Sequence, residues 1–410
     1  MTRIIFLFLF IVAIDWLVFQ FYGVIMEGYP SPIQVGFTGL FWSIPFFFIS
    51  FLLFHTNRLE KVNSLGKYRL FRSFFYLIYL AKFILLFFAL FWHLIGLIVG
   101  ILSLLGIPLF SDTSFKIIYI KVSLFITLIP LTLLIYGMIR NRHRYKLWEI
   151  DVEIADLPTE LEGLKIVQIS DIHSGSFTDK TPIIKGIELI NQQKPDLVFF
   201  TGDLVNTIAD EIEPYIDVFG KIRAKYGVFS ILGNHDYGDY TTWPDKAAKL
   251  ANLRRLVESH QRMEWQLLLN ENRVLEINGV PIAIIGVENY SASPRFSKYG
   301  NLSKAYQNTG EVVLKLLLSH DPSHWDDQVI KDYKDIAITF SGHTHGAQFG
   351  IESPILRWSP VQYFYSRWAG LYQVGKQYLY VNRGFGYLGY PGRVGILPEI
   401  TCIQLKTNRE

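Results

Sequence analysis

Residues 164–173 read LKIVQISDIH, residues 197–203 read LVFFTGD, and residues 228–236 read VFSILGNHD. Each opens as a short apolar run of the kind that forms a strand buried on both faces. Each closes in a polar cluster: Asp171-Ile-His173, Gly202-Asp203, and Gly233-Asn234-His235-Asp236. Helical stretches are expected between them, at about 182–193 and 209–224. Strand, polar loop, helix, strand is the pattern of βαβ units and predicts an α/β domain. In open α/β sheets the site lies at the carboxyl ends of the strands, and all three clusters fall there.

Working outward, the later chain is richer in strands. Pro281–Val287, Val313–Ser319, Ile336–Phe340, Tyr372–Asn382 and Ile400–Lys406 are expected to be extended. Val313–Ser319 runs into His320, and Ile336–Phe340 runs into Gly342-His343-Thr344-His345. The expectation is a sandwich of two sheets flanked by helices.

The residues gathered at these strand ends suit a metal centre. Two cations about 3.5–4 Å apart need a shared ligand, and a carboxylate has two oxygens and a negative charge for that purpose. Imidazole and carboxylate donors favour Mn, Fe or Zn over softer ions. Asp171, His173, Asp203, Asn234, His320, His343 and His345 are the candidate ligands. Asp171/His173 and His343/His345 are each two residues apart, which in extended backbone would point both side chains the same way. Gly202, Gly233 and Gly342 are expected to allow tight turns and close approach of backbone to a phosphate.

Taken in order, Asp-x-His, Gly-Asp, Gly-Asn-His-Asp, a lone His and Gly-His-Thr-His resemble the signature of the calcineurin-like metallophosphoesterases. The match covers about residues 150–407. The ending Tyr380-Val-Asn-Arg-Gly-Phe-Gly-Tyr-Leu-Gly-Tyr-Pro-Gly-Arg393, then Pro398-Glu399-Ile400, is similar to that of the membrane-associated bacterial branch. One departure is Ala347, where relatives often have Gly. The resemblance implies one metal on Asp171, His173 and His345, another on Asn234, His320 and His343, and Asp203 as the bridge. It implies that a metal-bridging hydroxide attacks phosphorus, that His235 protonates the leaving oxygen, and that Asp236 orients His235. Two divalent ions are the implied cofactors, with Mn favoured.

The front of the chain has another character. Apolar stretches at about 4–25, 33–54, 73–97 and 115–139 are each long enough to cross ~30 Å of hydrocarbon at ~1.5 Å per residue. Residues 1–147 are therefore read as a transmembrane domain and residues 148–410 as the catalytic domain. Residues 1–150 carry +8 and residues 151–410 carry −5, of the total +3. The connections near 26–32 and 98–114 have no Lys or Arg. The loop at 55–72 has Arg58, Lys61, Lys67, Arg69 and Arg72, and Arg140, Arg142, Arg144 and Lys146 follow the last span. With four spans these clusters and Arg3 share one side, which the positive-inside rule places in the cytoplasm together with the catalytic domain. The 37-residue run Phe74–Phe110 is long for one upright span, and Gly96, Gly100 and Gly106 could break it into a span plus an interfacial piece; the rival, two short spans, would move the domain outside. Lys121 is near enough to a helix end to snorkel. Asp15 and Lys82 sit at a common depth within their spans, which favours an interhelical ion pair.

A net charge of +3 gives no reason to expect a nucleic-acid partner. Cys402 is the sole cysteine, so no intrachain disulfide is possible. Trp358, Tyr363, Phe364, Tyr365, Trp368, Tyr372, Phe385, Tyr387 and Tyr390 crowd residues 352–395, either as core or as a lid that meets the bilayer. The expected function is hydrolysis of a phosphoester or pyrophosphate, with the bilayer as partner and a lipid-linked substrate, at a bacterial inner membrane. The alternatives are a tethered enzyme acting on soluble nucleotides or phosphoproteins, and a catalytically weak membrane scaffold.

Overall fold

The computed structural model describes the backbone of residues 2–55, 62–105 and 113–408, and the side chains of residues 6, 8–50, 73–105 and 115–408. The chain divides into two compact units, Met1–Ile135 and Tyr136–Glu410. The division falls ahead of the expected 147/148 because the turn Gly137–Asn141 is held by the far end of the second unit. Arg393 N–H donates to the Gly137 carbonyl at 3.3 Å, and Asn141 Nδ2 donates to the Arg393 carbonyl at 3.1 Å. Contacts spanning some 250 positions leave no local signal in the sequence.

The first unit contains helices Thr2–Tyr22, Ser31–His55, Val62–Leu104 and Thr113–Tyr136. Among the described residues, four helical segments are long and apolar enough to cross a membrane: Phe8–Gly28, Ser31–Ser50, Ser73–Leu104 and Phe115–Asn141. Many large apolar side chains on them have no protein cover, such as Phe47 at 69% and Phe87 at 66% exposure. A surface of that kind needs hydrocarbon around it. The third helix runs unbroken through Gly96 and Gly100, so neither splits it; Gly106, Arg58 and Lys61 lie outside the described residues. Its 32-residue apolar window would span ~48 Å upright, more than a ~30 Å core, so tilt must be joined by helix that continues into the headgroup region.

Asp15 and Lys82 meet inside this unit. Lys82 Nζ lies 2.7 Å from Asp15 Oδ1, and Tyr79 OH donates to Asp15 Oδ2 at 3.2 Å. Both charges are buried, with Phe41 and Tyr79 rings beside the ammonium. Removing one member would strand the other in an apolar setting, at a cost of about 3–5 kcal/mol.

The second unit is built on two six-stranded sheets. The first runs in the order Lys146–Ala155, Glu399–Asn408, Lys165–Ile169, Leu197–Phe200, Val228–Ser230, Trp265–Leu267. The second runs Gly370–Val374, Gln377–Val381, Ile336–Ser341, Leu314–Leu318, Val280–Gly286, Glu271–Ile277. Alternation along each strand supplies two buried faces. Leu197 and Phe199 turn inward with Phe340, Leu316 and Ile338 of the other sheet, while Val198 and Phe200 turn outward against Ile183, Ile187 and Leu256. Ala283, Ile285 and Leu317 cover the opposite outer face with Trp325 and Val329. The Phe199 and Phe340 rings meet edge-on at 4.9 Å across the interior.

Two expected elements differ. Residues 209–224 form 3-10 turns at Ala209–Glu211 and Glu213–Tyr215 and a single helical turn at Ile216–Phe219. Pro214 removes a backbone donor within the stretch, which keeps it from being one helix. Residues 372–382 are not one strand but part of a hairpin, turned at Gly375 with φ 58°.

Candidate metal centre

The parallel strands Lys165–Ile169, Leu197–Phe200 and Val228–Ser230 of one sheet, and Leu314–Leu318 and Ile336–Ser341 of the other, deliver all seven candidate ligands from their carboxyl ends. The side chains converge link by link. Asp171 Oδ1 lies 3.3 Å from His345 Nε2, which lies 3.0 Å from His173 Nε2. His173 Nε2 is 3.6 Å from Asp203 Oδ2, and the same oxygen is 3.2 Å from His320 Nε2. His320 Nε2 is 3.2 Å from Asn234 Oδ1, and His343 Nδ1 is 2.8 Å from that oxygen. Two groups, Asp171/His173/His345 and Asp171/Asp203/His320, each bring their donor atoms within 4.8 Å of one another and could hold an ion.

The donor chemistry fits divalent metals. Nitrogen and oxygen donors crowd one another here, as at the Nε2 atoms of His173 and His345, which lie 3.0 Å apart and have room for one proton between them. Burial alone would raise Asp203, but His320 and His235 hold its carboxyl well below the usual range. Burial alone would lower His320, yet Asp203 lifts it to about 10. Asp203 is thus held ionised with a positive charge beside it, a place that a bound cation could fill instead of the His320 proton. His320 Nδ1–H donates to the Thr201 carbonyl at 2.7 Å, which turns Nε2 inward toward Asp203, where a bound cation would take the place of the Nε2 proton.

Residues 164–347 match the family described as calcineurin-like phosphoesterase. The chain is 30% identical over 280 residues to the uncharacterized metallophosphoesterase YkuE of Bacillus subtilis, covering 66% of this chain and 90% of that protein. It is 30% identical over 331 residues to the uncharacterized metallophosphoesterase Cj0846 of Campylobacter jejuni, covering 80% of each.

The chain belongs to the calcineurin-like phosphoesterases.

Its catalytic unit is accordingly that of a metal-dependent hydrolase. The family likeness is not confined to bacteria. A zebrafish transmembrane protein with a metallophosphoesterase domain is 28% identical over 284 residues, or 68% of this chain, and the match spans 61% of that protein's length.

The phosphoesterase loops reach their geometry by a route the sequence does not show. Asp171, His173, Asp203, His343 and His345 all have left-handed backbone, with φ of 51°, 48°, 62°, 73° and 51°. The extended geometry expected of the two Asp/His-x-His pairs is therefore absent, and kinks aim the side chains instead. Such conformations cost of order 1–3 kcal/mol each and are found where function requires them. Ala347 shares the trait at φ 51°, so Gly there would relieve ~1 kcal/mol. Gly202 makes the expected tight turn, with φ 95°, whereas the other two act differently: a Cβ on Gly233 would strike the Asp203 carboxylate, and one on Gly342 would strike Ser170 and Asp171. They leave room for the candidate ligands themselves.

His235 donates Nδ1–H to the Asn206 carbonyl at 2.7 Å, so Nε2 is the atom free to exchange a proton. Its ring stands edge-on to His173 at 4.9 Å and lies against Tyr240 at 4.4 Å. Asp236 makes no hydrogen bond to the His235 ring through its carboxylate, contrary to the orienting role expected of it. Its carboxylate accepts the backbone N–H groups of Asp203, Leu204, Val205 and Gly233 at 2.8–3.2 Å. It staples two strand-end loops and places His235 only through the backbone. Burial first, and then the Asp203 carboxylate, push Asp236 up to about 7, against the pull of the Gly233 and Val205 amides.

Several residues at the site carried no signal of this role in the sequence. Tyr240 OH accepts from Asn234 Nδ2 at 2.8 Å, which fixes Oδ1 toward the centre. Tyr365 OH lies 2.7 Å from His343 Nε2, with Asp321 at 3.5 Å from the same nitrogen. Arg393, fully buried, points Nη2 at His345 Nδ1 at 3.3 Å.

Proposed function

We propose that the chain is a membrane-anchored phosphohydrolase with a two-metal centre, acting on a phosphoester or pyrophosphate of a lipid-linked substrate. The observation that carries this reading is Asp203 Oδ2, which faces His173 on one side and His320 on the other. Asp171, His173 and His345 would hold one ion; Asn234, His320 and His343 would hold the second; Asp203 would serve both. Mn suits the donor set, as do Fe and Zn. Ions bound there supply Lewis acidity toward a phosphoryl oxygen and make water acidic enough to act as a nucleophile. His235 acts from Nε2 as the acid for the leaving oxygen, with the Asn206 carbonyl holding its ring in place. Asp203 Oδ1 accepts the His235 backbone N–H at 2.8 Å, which ties the acid to the central carboxylate.

The segment that supplies Tyr365 supports a lipid-linked substrate. The aromatic region divides between two roles: Trp368, Phe385 and Tyr387 are core, whereas Ile355, Tyr363 and Phe364 are 97%, 73% and 84% exposed. Of these, Phe364 lines the cavity that Tyr365 shares with the centre, and exposed aliphatic and aromatic groups on this segment suit acyl chains better than a nucleotide in water. Purified full-length protein loaded with Mn²⁺ is expected to hydrolyse phosphoesters of lipids in mixed micelles at least about tenfold faster than soluble nucleotides or phosphopeptides. A reversed preference would sink the lipid assignment, and no hydrolysis at all would sink the enzyme reading.

The basic clusters support a bacterial inner-membrane protein with its catalytic unit in the cytoplasm. A fluorescent reporter that matures only in the cytoplasm, fused after Glu410, should then be bright, and a periplasm-dependent phosphatase reporter should be inactive. The opposite pair of results refutes the orientation.

A further inference from the structure

A cavity of about 760 Å³ opens next to the centre on its His343 side. Arg295, Phe296, Asp326, Phe364, Tyr365 and Arg367 are among the residues that line it. Two of these touch a candidate ligand. Phe296 stands edge-on to the His343 ring at 4.8 Å, and Tyr365 OH is 2.7 Å from His343 Nε2. A molecule filling the cavity therefore abuts the centre, and the volume is that of a small-molecule site.

The charges around the cavity are unevenly engaged. Arg367 Nε lies 3.6 Å from Asp326, and Lys331 Nζ lies 3.9 Å from Asp327. Arg295 is exposed, stacks near Phe296, and makes no ion pair among the described residues. Its positive charge is felt by the phenols of both Tyr365 and Tyr240. Tyr365 contacts His343, while Tyr240 contacts Asn234 and His235, and Arg295 shares the cavity wall with Tyr365 and with Phe296, which stands against the His343 ring. An unengaged guanidinium between aromatic walls is suited to binding a phosphate through two parallel hydrogen bonds.

We infer that this cavity receives the part of the substrate beyond the reacting phosphorus, and that Arg295 binds a second phosphate there. The preferred substrates are then diphosphate esters, with the group after the second phosphate packed against Phe296 and Phe364. This rests on the phosphohydrolase reading above. In the reaction, water gives its hydroxyl to one phosphorus, the P–O bond of the diphosphate breaks, and the proton goes to the departing phosphate oxygen.

The test uses full-length, Mn-loaded protein in detergent and three probes: UDP-glucose, dioctanoyl CDP-diacylglycerol and bis(4-nitrophenyl) phosphate. The first two carry the diphosphate on a soluble and on a lipid body, so turnover of one or the other identifies its source. Arg295→Ala should raise KM for the diphosphate by about tenfold more than for bis(4-nitrophenyl) phosphate, the size of effect expected for a lost charge-assisted hydrogen bond. Arg295→Lys, which keeps charge without the fork, should recover part of it. Equal changes on both substrate types overturn the inference. Binding supplies an arm independent of turnover: calorimetry with imidodiphosphate should show about tenfold weaker binding to Arg295→Ala, and unchanged affinity also overturns it. Arg295-dependent binding with no hydrolysis of any probe keeps the subsite and refutes the phosphohydrolase reading instead.

Discussion

Asp203→Ala is expected to remove both metal and activity, the largest effect of any single substitution in this chain. Asp203 Oδ2 is the atom that joins the two halves of the centre, 3.6 Å from His173 and 3.2 Å from His320. Its other oxygen accepts the His235 backbone N–H, so the same change also frees the loop that bears the proposed acid. Removing an outer partner of a ligand costs roughly 10–100-fold in affinity or activity, and loss of a shared ligand should exceed that, at about 10³-fold or more in kcat/KM. Asp203→Asn keeps an oxygen but not the charge, and is expected to retain metal better than the alanine variant. Elemental analysis beside steady-state kinetics reads both effects. A folded Asp203→Ala protein that still carries two ions per chain would count against the shared-ligand role.

His235→Ala is expected to separate chemistry from metal binding. The His235 ring meets a candidate ligand only edge-on, at His173, and its Nδ1–H goes to the Asn206 carbonyl. Metal content should therefore stay at the wild-type level. A general acid contributes about 10²–10⁴-fold, and most where the leaving oxygen is a poor one. The loss should be at least about 10²-fold on alkyl esters and about tenfold or less on 4-nitrophenyl esters, whose leaving group needs no proton. Equal losses on the two classes would contradict the acid role.

The strand ends were legible because buried parallel strands are near-continuous apolar runs, so the first polar residues after them stand out. The pairing of Asp15 with Lys82 was legible for a related reason: in hydrocarbon a charge needs a partner at its own depth. What was not legible depends on distance along the chain or on backbone shape. Arg393 meets His345 across 48 positions, and Tyr365 meets His343 from an irregular segment with no periodic pattern. The left-handed backbone at Asp171, His173 and His345 is paid for by surrounding packing, and non-glycine residues give no hint of it. The resemblance implied that Asp236 orients the His235 ring, whereas its carboxylate faces the backbone of the adjacent loop, a contact that no local pattern announces. Residues 209–224 were expected to be helical from their place between two strands, and Pro214 keeps them from forming one helix.

The central claim is that seven side chains from five strand ends hold two divalent ions. Counting them tests it directly: full-length protein is stripped with a chelator, reloaded with Mn²⁺, desalted and analysed for metal per chain. The account predicts two ions per chain, with hydrolysis lost on stripping and restored on reloading. Fewer than one ion per chain in folded protein, or hydrolysis that survives complete stripping, would contradict it.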